Sequence, residues 1–244
     1  MKKLCLVLVF FFAVWSANAQ KSSTLESLYQ QGIANAAYPE PSEISSELLA
    51  ISKENPSLIW KTIQNKEYVL VASWQADTVF YKNNPQTGFY NTTKYPIWVT
   101  AAPQLQQWVN KTRFEEDTKL RLEQLLGLPP NGNKKFFIEF WVQPKDLFRP
   151  CPDSEITDNA CALIFPKDAK PEHIQWINDL RLNSYFMTGN KKDVSQNYPW
   201  TQLGYSYDWN PKNISHVGMS EFVINTNADI VVHKFYTTEQ YCKK

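Results

Sequence analysis

The run Phe136 to Val142, FFIEFWV, limits what this chain can fold into more than any other stretch. Strand side chains alternate between two faces, and here both faces are apolar apart from Glu139. A strand of that kind needs cover on both sides, so it belongs inside a sheet flanked by other layers. The carboxyl of Glu139 must then lie at the sheet end or accept a partner's hydrogen bonds. Upstream, Phe114 to Leu126 reads as a helix with Leu122, Leu125 and Leu126 on one face. Its stop is Gly127-Leu128-Pro129-Pro130: a glycine for the left-handed turn, an apolar residue to fold back, and prolines that forbid continuation.

Other segments alternate between helical and extended patterns without a regular order. Leu25, Leu28, Tyr29 and Ile33 recur at helical intervals behind the capping pair Ser23 and Glu26. Ser42 can cap a second helix carrying Ile44, Leu48, Leu49 and Ile51. Tyr68 to Ala72, Thr78 to Tyr81 and Ile97 to Thr100 read as strands, with a loop over Asn83 to Gly88. Pro103 opens a helix with Leu105, Trp108 and Val109 inward, and Pro171 another with Ile174, Ile177 and Leu180 inward. Lys191 to Asn197 is polar. Leu203, Tyr205, Tyr207 and Trp209 alternate on one face of a strand. Phe222 to Ile224 and Ile230 to Val232 read as an antiparallel pair joined across Asn225 to Asp229. The expectation is an α+β fold: a helical N-terminal part, then a mixed, largely antiparallel sheet with flanking helices. We expect one globular domain over 20–244, with a possible seam near 129–133.

The N-terminus has three zones. Lys2 and Lys3 are basic, Leu4 to Trp15 is almost unbroken apolar, and Ser16-Ala17-Asn18-Ala19 is small. This is the pattern of a cleavable export signal over 1–19, cut after Ala19. The apolar run is too short to span a bilayer. We therefore expect a secreted or periplasmic protein with no stable membrane insertion. Processing would remove Lys2, Lys3 and Cys5, taking the formal charge from +1 to about −1. So balanced a chain offers nothing to steer it toward nucleic acid. Of the cysteines, Cys151, Cys161 and Cys242 would remain, and an oxidising compartment favours a bridge. The local pair Cys151–Cys161 closes the shortest loop and is the expected one, with a link to Cys242 as its rival.

No complete catalytic, metal or cofactor motif is present. Asp153, Glu155 and Asp158 crowd the loop between the cysteines, but a calcium loop's residue order and glycine are missing. His173, His216 and His233 with the cysteines give too few close ligands for zinc. No metal site is expected, and no cofactor is required. Gly204-Tyr205-Ser206 carries only the start of a serine-hydrolase elbow. His216 lies in a turn region and is the histidine best placed for catalysis. Tyr198, Trp200, Tyr205, Tyr207 and Trp209, with Asp208 and Asn210, could form a ring-stacking surface. Trp200, outside the alternation, is the ring expected to be exposed, with Asp208 as its polar neighbour.

Arg149 after the buried strand, Ser206 on the aromatic strand and Glu221 on a late strand together loosely resemble ADP-ribosyltransferase-type domains. That resemblance implies that Arg149 holds a dinucleotide, Ser206 supports it and Glu221 stabilises charge on the ribose, with NAD as the cofactor of that alternative alone. The chain lacks the family's Ser-Thr-Ser strand, and Glu221 has Met219 and Val223 where a partner residue would stand. The reading preferred from sequence is an exported binding or interaction module for an extracellular ligand or protein partner. The alternatives are a secreted NAD-consuming enzyme or a hydrolase using His216.

Overall fold

The computed structural model describes residues 24–82, 88–92, 95–112, 117–186 and 197–243. The export segment and most of the polar stretch from Lys191 to Asn197 lie outside the described residues, as do 83–87 of the expected loop. The described elements, in chain order, begin with helix α1 over 24–36. Strands β1 (Trp60–Ile63) and β2 (Lys66–Gln75), the one-turn helix α2 (Val79–Lys82), and strands β3 (Phe89–Asn91) and β4 (Ile97–Ala101) follow. Helices α3 (Ala102–Lys111) and α4 (Thr118–Leu125) lead to β5 (Phe136–Val142) and the short β6 (Leu147–Phe148). Helix α5 (Pro171–Arg181) runs into a π-turn at Leu182–Phe186. The chain ends with β7 (Tyr205–Tyr207), β8 (Val217–Ser220), β9 (Phe222–Ile224), β10 (Asp229–Thr237) and helix α6 (Thr238–Cys242).

The fold is α+β, with a largely antiparallel sheet ordered β3-β10-β5-β2-β4-β9-β6, and β1 paired to β2. As its composition requires, β5 lies inside the sheet between β2 and β10. Ile138, Phe140 and Val142 join Val69, Val71, Val99, Phe222 and Ile224 in the core of the inner face. Phe137 and Trp141 face the other way, with Trp74, Leu105, Leu122 and Tyr241 under α3, α4 and α6. Glu139 is fully buried on that outer face and accepts a hydrogen bond from Gln106 Nε2 on α3 at 3.0 Å. The glycine stop forms as expected, with Gly127 at φ 62°.

Strands β9 and β10 do not pair with each other, contrary to the hairpin expected from sequence. Instead, β9 pairs with β4 and β10 with β3. Thr92 stitches the junction: its N–H donates to Ala228 O, it accepts from Asn227 N through its carbonyl, and its hydroxyl accepts from Ala228 N. The pairs β3–β10 and β4–β9 therefore form two antiparallel arms on either side of this junction. The path β10–β5–β2–β4 returns to β9, which leads into β10, so the sheet curls on itself.

Two further expectations are corrected. Beyond the short 3₁₀ turn Pro41–Glu43, the segment expected as a second helix is extended. Leu48 N–H donates to Asn159 O at 2.9 Å and Ile51 N–H to Ile156 O at 2.7 Å, so the disulfide loop supplies partners that a helix would have supplied internally. Thr78 to Tyr81 is not a strand. Asp77 accepts from Val79 N–H and Thr78 O accepts from Lys82 N–H, which starts a helical turn.

Candidate functional site

The curled sheet splits at one place. Strand β4 pairs with β2 only at Val71↔Ala101 and Ala72↔Thr100. From Ile97 to Val99 its partner is β9 instead. Strand β2 continues through Ser73, Trp74 and Gln75 bonded to β5. Past Ala72 the two strands thus diverge, and a cleft of about 780 Å³ opens between them. It is lined from the inner face by Ser73, Tyr81 and Tyr90 and from the outer face by Trp98, Thr100, Trp200, Tyr207 and Glu221.

Aromatic rings form a large part of its walls. Phe80, Tyr81 and Tyr90 pack edge to face with centroids 5.3–5.5 Å apart, and Tyr81 leans on Phe140 of the core at 5.2 Å. Burial pushes the Tyr81 phenol up to about 12, so it stays neutral. Across the cleft, Trp98 approaches Trp176 of α5 at 6.3 Å, and Trp176 meets Phe148 edge-on at 4.8 Å. Tyr207 stacks on His216 with centroids 4.7 Å apart. Phe80, Tyr95 and Tyr198 line the cleft while remaining more than half exposed, which places apolar rings at its rim.

Glu221, the link between β8 and β9, carries the carboxyl of the outer half. Its N–H is fixed by Gly204 O at 2.9 Å. The residue keeps some surface toward the cleft, but protein crowds the carboxyl, and loss of water alone raises its pKa to about 8. Among the described residues no hydrogen bond or ion pair reaches that carboxyl. Opposite it on β4, one position past the Val99↔Phe222 pair, Thr100 Oγ1 is buried and has no hydrogen-bond partner.

The other residues singled out from sequence lie elsewhere or are held by the fold. Arg149 is fully buried and does not line the cleft. Its Nε donates to Glu155 O and its Nη2 to Asp158 O, each at 2.9 Å, inside the loop spanned by Cys151 and Cys161. Those cysteines stand at disulfide distance, with Cα atoms 6.6 Å apart. The acidic loop thus turns carbonyls inward to a guanidinium. Among the described residues no group of three or more metal-type ligands converges. Ser206 Oγ donates to Leu125 O at 2.7 Å and accepts from Met219 N–H at 2.8 Å, so it ties β7 to α4 and β8. Asp208, expected beside a ligand, is buried and receives both Arg121 guanidinium nitrogens at 2.9 and 2.6 Å. His216 Nδ1 bonds Asp208 O at 2.9 Å, and the residue sits at φ 54° in the turn before β8.

Trp200 is not exposed. Its ring is 5% accessible, and its indole N–H donates to Pro150 O at 2.9 Å. It nevertheless forms part of the cleft wall. Of the residues named from sequence, Glu221 and Trp200 meet at the cleft, whereas Arg149, Ser206, Asp208 and His216 do not line it. The sequence reading missed Tyr81, Tyr90, Trp98 and Thr100, whose shared position depends on the split between β2 and β4. Compared with known proteins, the chain matches no family model, no curated protein and no solved structure.

Proposed function

We propose that this is an exported binding module whose cleft takes a small organic molecule with a planar, apolar body. The observation that carries this reading is the split sheet, which leaves a cavity of about 780 Å³ walled by aromatic rings. Sites for small ligands are concave, largely apolar and provided with few polar groups, and this cleft has that composition. The disulfide-distance pair fits an oxidising compartment. No helix among the described residues is long and apolar enough to cross a membrane. Arg149, which the NAD-consuming alternative needs beside Glu221, does not line the cleft, and neither does His216 of the hydrolase alternative.

The test uses N-phenyl-1-naphthylamine, a neutral two-ring dye that fluoresces once it leaves water. The full processed chain should bind it saturably. Ser184, half-buried on the π-turn, lines the cleft, and Ser184→Trp should fill it. Dye binding should then drop by about tenfold or more with Tm nearly unchanged. A wild-type protein that shows no saturable signal would remove this reading.

A further inference from the structure

We infer that the ligand of this cleft carries a protonated primary amine on its aromatic body, received between Glu221 and Thr100. The inference rests on the binding reading above and adds to it the ligand's charge and orientation.

The outer half of the cleft places two acceptors without described partners among rings. The Glu221 carboxyl has neither hydrogen bond nor ion pair among the described residues, and Thr100 Oγ1 is a buried hydroxyl with no partner. The two residues occupy facing positions on β9's entry and β4, since the register runs Ile97↔Ile224, Trp98↔Val223 and Val99↔Phe222. Trp98 and Glu221 share the outer face by alternation, away from Val99 and Phe222 in the inner core. No hydrogen bond joins Glu221 to Thr100. A buried polar atom left unpaired, as Thr100 Oγ1 is, is costly, and the partly exposed Glu221 carboxyl opens to the cleft beside it, so both positions favour a donor supplied from outside the chain.

The choice of donor follows from charge. An ammonium group offers several N–H donors and only positive charge, which matches a carboxylate and a hydroxyl oxygen together. Trp98 and Trp200 line the same region, and indole rings are the aromatic side chains that attract cations most strongly. A carboxylate or phosphate ligand could use only the protonated acid and would be repelled once Glu221 ionises, whereas an ammonium gains an ion pair as the proton leaves, and a neutral ring would leave both oxygens unpaired. The groups facing Glu221 do not supply the cation themselves. The π-turn contributes the Tyr185 phenol, whose pKa burial pushes up. Strand β4 contributes Trp98 and Thr100, and β7 contributes Tyr207, whose phenol is likewise raised by burial. The other charged residues lining the cleft are Asp77 and Lys134. Lys134 stands beside Lys135, whose N–H bonds Gln75 O at the far end of β2.

Three indoles differing in charge decide the matter: tryptamine, tryptophol and indole-3-acetate, each competed against the naphthylamine dye on the full chain. Tryptamine should displace the dye at about tenfold lower concentration than tryptophol, and indole-3-acetate should be weakest. Near neutral pH, tryptamine binding should release a proton from Glu221, visible as a buffer-dependent binding enthalpy. Glu221→Gln should bring tryptamine and tryptophol close to equal, and Thr100→Val, a change of nearly constant shape, should weaken tryptamine alone. If the dye binds but tryptamine and tryptophol compete equally, the cleft takes rings and the charge assignment is wrong. The charge assignment is equally wrong if the dye binds and none of the indoles displaces it. If neither dye nor indoles bind, the binding reading and this inference fall together.

Discussion

Arg149 and Glu221 are ionisable side chains on either side of Phe222, the first fully buried and the second partly so, and the fold treats them differently. The Arg149 guanidinium lies 5.6 Å from the Phe222 ring, and carbonyls of the disulfide loop accept from it. It also closes over Gly204, where φ is 79° and an added Cβ would meet Arg149 Cδ at 2.6 Å. Glu221 is the residue just before Phe222, points to the opposite face, and has only desolvation acting on its carboxyl. A buried charge surrounded by backbone acceptors organises a loop. A partly buried acid without a described partner, at a cavity, stores an unmet interaction that a ligand can satisfy. The comparison separates a residue that builds from a residue that waits.

The largest expected effect lies on the Arg149 side. Arg149→Met should cost about 3 kcal/mol in urea unfolding, because the carbonyls of Glu155 and Asp158 lose a buried donor. A loss below about 1 kcal/mol would break the contrast by making Arg149 dispensable. Replacing both Cys151 and Cys161 with Ser should cost on the order of 2–3 kcal/mol, since the closed loop is short. Combined with Arg149→Met, the losses should fall short of additivity, because both changes free the same loop.

Glu221→Gln should act with the opposite sign. The folded protein holds the Glu221 proton up to about pH 8, whereas an ordinary glutamate releases it near 4.5. Between those values the folded state binds more protons than the unfolded chain, so stability contributed by the neutral acid is lost as pH rises. Glu221→Gln removes that slope. It should match the wild type at about pH 4 and exceed it by on the order of 2–3 kcal/mol at about pH 9 in thermal unfolding. Equal pH slopes in the two proteins would show that Glu221 is ordinarily solvated. The smallest effect is expected at His216. His216→Gly relieves a left-handed backbone while losing the bond to Asp208 O, so stability should change by less than about 1 kcal/mol.

What could be read from the chain alone divides along the same line. Phe136 to Val142 announced a covered strand because both its faces are apolar, and Gly127 with its prolines announced a stop. Those signals are local. Ile44, Leu48 and Ile51 have helical spacing, but the disulfide loop bonds the backbone of Leu48 and Ile51 in extended form, and no local pattern reports a partner about a hundred residues away. Leu203 to Trp209 shows the limit of alternation. Its apolar residues are buried as expected, yet Ser206 and Asp208 on the other face are buried too, because α4, β8 and Arg121 cover them. At the site, Glu221 and Trp200 were legible as unusual residues. The cleft that joins them was not, because it arises where β4 changes partner from β2 to β9.

The two antiparallel arms, β3–β10 and β4–β9, also set a time order for folding. Their pairing joins segments separated by more than a hundred residues, and the closure entropy of so large a loop must be met before the contacts form. Folding dominated by such distant pairings is slow. Glu221 and β9 come after the other lining residues in the chain, so the outer wall of the cleft is completed after the inner one. A nascent chain that has not yet reached β9 can collapse around β2 and β5 but has no β9 to draw β4 away from β2. Ligand binding is therefore a property acquired only once β9 has joined β4, and ring-bearing ligand present during refolding should raise the yield of closed protein without speeding the early collapse.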